Sequence, residues 1–409
     1  MHSTIRLSRL AAVLAVTLAL GAGGLRTGTH AAARIDVVPG MLPVTDPTNL
    51  YSETGPDKLS PVVAHLPPRV YVPNVKSNEV HVIDPVTFTV IDRFEVGANP
   101  QHVVPSRDLS TLWVTNNAEG RTNGTLTPID PTTGKPGKEV VVDDPYNLYF
   151  TPDGASAIIV AEALKRLDFR DPKTMALQAS MPVPKCAGIN HGDFSLDGRY
   201  LVMTCEYAGR LVKIDWRARA VLGYVMLPDH GIPQDVRVSP DGTLFYVADL
   251  RAGGVHLLDG DAFKRVGFIK TGVGTHGLYP SRDATKLYVT NRGFSEIGGK
   301  PGVGQGSVSV LDFASRTVVA TWPIPGGGSP DMGGVSIDGR QLWLSGRYDR
   351  VVYVIDTASG ELVRRIPVGW EPHGLAVWPQ PGRYSLGHTG NMRRARPRFD
   401  TLHGAHRTR

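Results

Sequence analysis

Short apolar runs alternate with polar turns along most of this chain, and they come in sets of four. The clearest set begins at Thr275, where THGLYPSRDATKLYVTNRG holds one run, a polar turn and a second run ending in Tyr288-Val289-Thr290-Asn291. The runs SVSVLDFASR (307–316) and TVVATWPI (317–324) complete the set. Runs rich in Val, Thr and Tyr, bounded by Gly, Pro, Asp or Asn, predict strands joined by tight turns. Four such strands in succession make one antiparallel sheet, the blade of a β-propeller.

The first turn of the set recurs. Thr151-Pro152-Asp153-Gly154, Ser195-Leu196-Asp197-Gly198, Ser239-Pro240-Asp241-Gly242 and Ser336-Ile337-Asp338-Gly339 each join a first strand to a second, and Ser106-Arg107-Asp108 and Ser281-Arg282-Asp283 lack only the glycine. The chemistry suits a turn: Pro presets φ, Asp bonds its own backbone and Gly accepts positive φ. First strands fall near residues 102, 147, 191, 235, 276, 331 and 373, about 41 to 45 residues apart except for the step of 55 that contains the insertion Gly298 to Gly306. A period of this size marks a repeat architecture. The stretch Val70 to Val96 supplies three strands without an innermost one, and Gly374 to Trp378 supplies an innermost strand alone. Joined, they complete one blade and remove both exposed edges. The expected fold is all-β: a seven-bladed propeller of four-stranded antiparallel blades, closed by N-terminal strands joining the C-terminal strand.

The repeat covers 69–390. Before it, Arg6 and Arg9 precede an apolar stretch from Leu10 to Leu20, with Ala31 and Ala33 placed for cleavage ahead of Arg34. That reads as a cleaved signal peptide (1–33) and an exported, secreted or cell-envelope protein. The apolar stretch is too short for a transmembrane anchor. Residues 34–68 form an N-terminal extension. Residues 391–409 form a basic tail, expected to be disordered, whose arginines together with those of the leader account for the formal charge of +6. A basic tail can touch nucleic acid or anionic surfaces, but a solvated, disordered end is the commoner explanation, and nucleic acid is not expected as a partner. With 41% hydrophobic and 20% charged residues the composition is that of a soluble globular protein, and the 46 glycines and 32 prolines punctuate turns. Cys186 and Cys205, the two cysteines, allow one disulfide, free thiols or soft metal ligands. No C-x-x-C-H motif is present, so covalent c-type haem attachment is excluded.

Trp113-Val114-Thr115-Asn116, Tyr288-Val289-Thr290-Asn291 and Tyr71-Val72-Pro73-Asn74, each ahead of a Val-Ile-Asp or Val-Leu-Asp type of strand, resemble the YVTN family of β-propeller repeat proteins over roughly 69 to 379. The resemblance implies seven blades and an extracytoplasmic or surface-layer setting. Related propellers include lactonases, streptogramin lyases and the propeller domains of nitrous oxide reductase and cytochrome d1-type nitrite reductase. Fold likeness does not choose among these.

In a blade, the start of the first strand and the end of the second open on one face of the channel. Aligning the repeats on the turn Ser or Thr puts Gln101, Tyr146, Asn190, Gln234, His276, Asp331 and His373 at one position. The next holds His102, Asn147, His191 and Asp235, then Gly277, Met332 and Gly374. Both positions face inward only if the strand begins with a bulge or turn, because neighbouring residues of a regular strand point to opposite faces. The second strands end in Asn74, Asn116, Glu162, Glu206, Asp249 and Asn291, and Arg210, Arg251, Arg292 and Arg347 follow them.

The expected site is therefore a polar channel mouth. Its ligand-binding residues are His102, Asn147, His191, Asp235, His276, Asp331 and His373 with Glu162, Glu206 and Asp249. Neutral imidazoles and carboxylates are ligands for zinc, copper or iron, so His102, His191, His276 and His373 are the candidate holders of one divalent transition metal. The competing explanation is a solvated polar channel whose His and Asp pair with the arginines. Two functions follow: an exported monomer that binds a small molecule, a metal ion or an envelope protein, or a metal-dependent lyase or hydrolase whose catalytic residues the sequence does not identify. Elsewhere, Gly326-Gly327-Gly328-Ser329 opens no helix, and Ser345 lacks a nucleophile-elbow context. Asn123-Gly124 reads as a hairpin turn, and His81, His256, His388, His403 and His406 read as surface or tail residues.

Overall fold

The computed structural model describes residues 35–118, 123–297 and 305–382. Seven four-stranded antiparallel sheets are arranged as blades, and sequential strands are hydrogen-bonded neighbours in each. Six blades are contiguous in sequence. The seventh takes its innermost strand, Ala376–Trp378, from the end of the repeat and its other three, Arg69–Asn74, Glu79–Asp84 and Thr89–Glu95, from the beginning. Arg69 pairs with Trp378 and Tyr71 with Ala376, so both edges are closed as the sequence predicts.

Burial grades outward along each blade. The innermost strands, such as Pro100–Pro105 and Pro233–Val238, are buried at every residue, whereas an outer strand such as Thr317–Pro323 alternates between exposed and half-buried positions. Apolar side chains fill the gaps between neighbouring sheets. Trp343 of one blade, for example, packs among Val70, Val72 and Val377 of the closing blade. The turn chemistry is also as expected: Ser195 Oγ donates to Asp197 and accepts from the Tyr200 N–H, and Ser106 does the same with Asp108 and Thr111.

The N-terminal extension has a definite place. Tyr51 is 1% exposed and its hydroxyl donates to the Val238 carbonyl at 2.7 Å, while the Leu50 N–H donates to Pro240 and the Val38 N–H to Asp197. These acceptors lie at the far ends of first strands and in the turns that follow, so the extension packs on the face opposite the strand starts. Nothing in its sequence repeats, which is why the pattern of the blades does not reveal it. Two expectations need correction. Asn123 and Gly124 do not form a turn; they begin the strand Asn123–Ile129 and pair with Asp143 and Val142. His81 and His256 are buried, not surface residues. His388, His403, His406, the leader and the basic tail lie outside the described residues. Among the described residues, no helix is long and apolar enough to cross a membrane.

Candidate functional site at the channel mouth

Six innermost strands begin with a register shift, at Pro100/His102, Pro145/Asn147, Ile189/Gly192, Pro233/Val236, Thr275/Leu278 and Pro330/Gly333. This is the bulge that the inward placement of two consecutive residues requires, because an extra residue re-aims the side chains beside it. The second strand stabilises the bulge. Thr115 Oγ1 accepts the His102 N–H at 3.1 Å, Thr204 Oγ1 the His191 N–H at 3.1 Å, and Thr290 Oγ1 the Gly277 N–H at 2.7 Å. The Thr of the Tyr-Val-Thr-Asn motif thus holds the bulge of the adjacent strand. The Asn stitches strands together: Asn291 Nδ2 donates to Ser307 and Ser309, and Asn116 Nδ2 to Thr125 and Thr127. Asn116 and Asn291 are framework residues.

The four candidate histidines come together. Their rings form a closed cycle, with centroids 5.2 Å apart for His102 and His191, 6.4 Å for His191 and His276, 6.2 Å for His276 and His373, and 4.8 Å for His373 and His102. Tyr146 stands edge-on to His102 and His191, at 5.4 and 5.7 Å. Gly374 leaves room for this packing, since a Cβ there would collide with His102 Nδ1.

Asp331 is the charged centre of the group. Its Oδ1 lies 2.9 Å from His276 Nδ1 and accepts from Arg292 Nε and Nη2 at 2.9 and 2.7 Å. Its Oδ2 has no hydrogen bond among the described residues and lies 3.7 Å from His373 Nε2 and 3.8 Å from Arg347 Nη1. Burial opposes its ionisation, but Arg292, His276 and His373 outweigh that and hold the carboxyl well below its ordinary range. Burial, helped by Arg292, lowers His276 to about 4, and burial with Arg347 puts His373 well below its ordinary value. The group at neutral pH is therefore two neutral imidazoles and one carboxylate. One ligand atom from each of His276, Asp331 and His373 lies within 4.8 Å of the others.

Above this group is a polar cavity of about 120 Å³, lined by Gln101, Tyr146, Glu162, Glu206, His276 and Arg347 among others. Cys186 and Cys205 form a disulfide that ties the loop before one first strand to the residue preceding Glu206. Glu206 accepts from Gln234 Nε2 at 2.9 Å and Asn190 Nδ2 at 2.8 Å, and burial raises its pKa.

Other candidate residues lie elsewhere. Asn147 bonds Tyr149 and lies 3.4 Å from His191 Nδ1. Asp235 is a buried framework carboxylate, 2.9 Å from Arg237 and accepting the Leu278 N–H. Asp249 accepts from the Ile232 and Ala252 N–H groups and pairs with His256 at 3.0 Å. Of the four rim arginines, Arg292 and Arg347 line the cavity, whereas Arg210 donates to the Ala208 carbonyl and Arg251 to the Asp229 and His230 carbonyls. Sequence reasoning assigned no role to Glu371, whose carboxylate lies 3.6 Å from Arg347, or to Tyr348, which also lines the cavity.

Comparisons with known proteins agree on the fold. A family model described as YNCE-like beta-propeller matches residues 28–381. No curated protein matches the sequence. Similar solved structures include the dihydro-heme d1 dehydrogenase NirN in complex with DHE, at 17% identity and TM-score 0.56 over 76% of this chain and 75% of that one. Hydrazine synthase of Kuenenia stuttgartiensis is similar at 19% identity and TM-score 0.54, over 67% of this chain and 88% of that one. A candidate 6-phosphogluconolactonase from Bacteroides uniformis is similar at 18% identity and TM-score 0.60, over 76% of this chain and 99% of that one. At these identities the likeness concerns the fold.

Proposed function

The chain belongs to the YNCE-like β-propeller family, and from that premise we propose that it is an exported protein that binds one transition-metal ion at the channel mouth. The ion is held by His276, Asp331 and His373, with His102 and His191 completing the imidazole cycle. The observation that carries this reading is the convergence of three buried donors in the protonation states a metal needs. A tetrahedral ion with bonds of about 2.0–2.1 Å sets its ligand atoms roughly 3.4 Å apart. The His373 to Asp331 separation of 3.7 Å is close to that. Asp331 Oδ2 is the oxygen suited to the task, because Arg292 already engages Oδ1. Two or more imidazoles with one carboxylate suit zinc, copper or iron.

Export rests on the leader around Arg6, Arg9 and Ala31 to Ala33, and the Cys186–Cys205 disulfide supports an oxidising compartment. Amino-terminal sequencing of the mature protein should begin at Arg34. The metal is tested by elemental analysis of untagged protein, which should carry about one equivalent. Asp331→Asn combined with His373→Ala should lose it, and His102→Ala with His191→Ala should weaken it. Metal present at about 100 times its Kd should add about 2.7 kcal/mol of stability. Metal-free protein whose melting ignores zinc, copper and iron sinks the reading.

One observation favours a second reading, a metal-dependent hydrolase or lyase. Glu206 is buried beside the cavity with a raised pKa, which supports a role as general base or acid, and Arg347 in the same lining supports stabilisation of a developing oxyanion. Turnover of simple lactones by metal-loaded protein, lost in Glu206→Gln with the metal retained, would distinguish it from carriage alone.

A further inference from the structure

The charges around the mouth cavity do not cancel. Arg292 is committed to Asp331, and Arg347 lies between Asp331 at 3.8 Å and Glu371 at 3.6 Å. Glu206 is 8% exposed, and its two hydrogen bonds come from the neutral amides of Gln234 and Asn190. Arg292 and Arg347 attract it from a distance, but burial outweighs them and its pKa is raised; a buried carboxylate without a directly bonded cation is costly and is relieved by one. A second observation is independent of charge. Gln101 is 4% exposed and donates from Nε2 to Asn117 at 3.3 Å, while its Oε1 has no hydrogen-bond partner among the described residues. Gln101 lines the same cavity as Glu206, with Tyr146 and Tyr348 beside them. The site thus offers two carboxylates, Glu162 and Glu206, against the already engaged Arg292 and Arg347, with one neutral acceptor and aromatic walls. An ammonium group has three donors and no acceptor, and aromatic faces attract cations. The volume of about 120 Å³ is on the order of four water molecules, the size of a short amine.

We propose that the mouth cavity binds a small primary ammonium ligand, with Glu206 as its counter-ion, Gln101 Oε1 as a hydrogen-bond acceptor and Tyr146 and Tyr348 as aromatic walls. None of His276, Asp331 or His373 is needed, so the proposal stands apart from the metal. A carboxylate ligand would meet Glu206 with like charge, and an alcohol would leave that charge unanswered.

The test is titration of chelator-treated, full-length protein with ethylammonium, 1-propanol and acetate, followed by calorimetry or by NMR shifts. Ethylammonium should bind saturably and at least tenfold more tightly than propanol, and acetate should not bind. Glu206→Gln, with its melting temperature measured as a check on folding, should weaken ethylammonium at least tenfold. Gln101→Glu adds a further carboxylate beside Glu162 and Glu206 and should tighten it several-fold, which decides the matter if Glu206→Gln fails to fold. Absent or non-saturable binding, equal affinity for the three probes, undiminished binding by folded Glu206→Gln, or unchanged affinity in Gln101→Glu overturns the proposal. Loss of the metal reading with ammonium binding intact, or the reverse, tells the two apart.

Discussion

Asp144 shows how one side chain can set a pH response. It lies on a left-handed backbone (φ 46°), and its Oδ2 accepts from the Ala163 and Leu164 N–H groups at 2.6 and 3.1 Å. Burial outweighs those donors and pushes the carboxyl up to about 6. The folded state therefore keeps a proton that the unfolded chain releases near pH 4, and stability falls as pH rises from about 4 to 6. With allowance for solvent screening, the loss should be about 2 kcal/mol. Asn tolerates the left-handed backbone, and its single carbonyl oxygen can accept both bonds. Asp144→Asn should remove its share of this slope, leaving that of Asp235, which burial also pushes up to about 6, and should melt higher than the parent at pH 7. An unchanged slope between pH 4 and 7 counts against the assignment. At this scale the sequence is informative where residues repeat: His102, His191, His276 and His373 are recognisable because each falls at one of two adjacent aligned positions at the start of a first strand. It is silent where a partner comes from another blade. That Arg292 and His276 share Asp331 Oδ1 depends on a contact between blades that no local pattern records, whereas Asp249 is absorbed by His256 of the neighbouring strand in its own blade.

Among elements, the bulged first strand and the threonine that supports it determine whether the site exists. Thr290→Val keeps the shape but leaves the buried Gly277 N–H without its acceptor, at a cost of about 1–3 kcal/mol. The same change should weaken metal affinity, because His276 precedes the bulged glycine. Urea melts together with metal titrations check both, and an unaltered stability removes the threonine's role. The disulfide is the other element-level constraint. It closes a loop across a sequence separation of 19, so Cys186→Ala with Cys205→Ala should lower stability by about 3 kcal/mol. Strands and turns were legible because their chemistry is local. The bulge was legible only as a requirement, since nothing in Pro100 to His102 distinguishes a bulged start from a regular one. The cysteine pairing stayed open because two thiols in a sequence carry no distance.

For the whole molecule, the extension that packs on the far face is as much a part of the fold as a blade. Tyr51→Ala removes a fully buried ring and its bond to Val238. It should cost about 4 kcal/mol while leaving the mouth chemistry intact, so metal stoichiometry should persist at temperatures where the variant is folded. Loss of the metal in folded Tyr51→Ala would show that the two faces are coupled. The ring also joins residues far apart in sequence, since Tyr71 pairs with Ala376. Contacts this distant make folding slow, and here they set an order of events. A ribosome must have made nearly the entire repeat before the toroid can shut, and until then the strand Arg69–Asn74 has an unpaired edge that can recruit a neighbouring chain. A messenger cut short before Ala376 should therefore yield aggregates instead of a smaller soluble propeller.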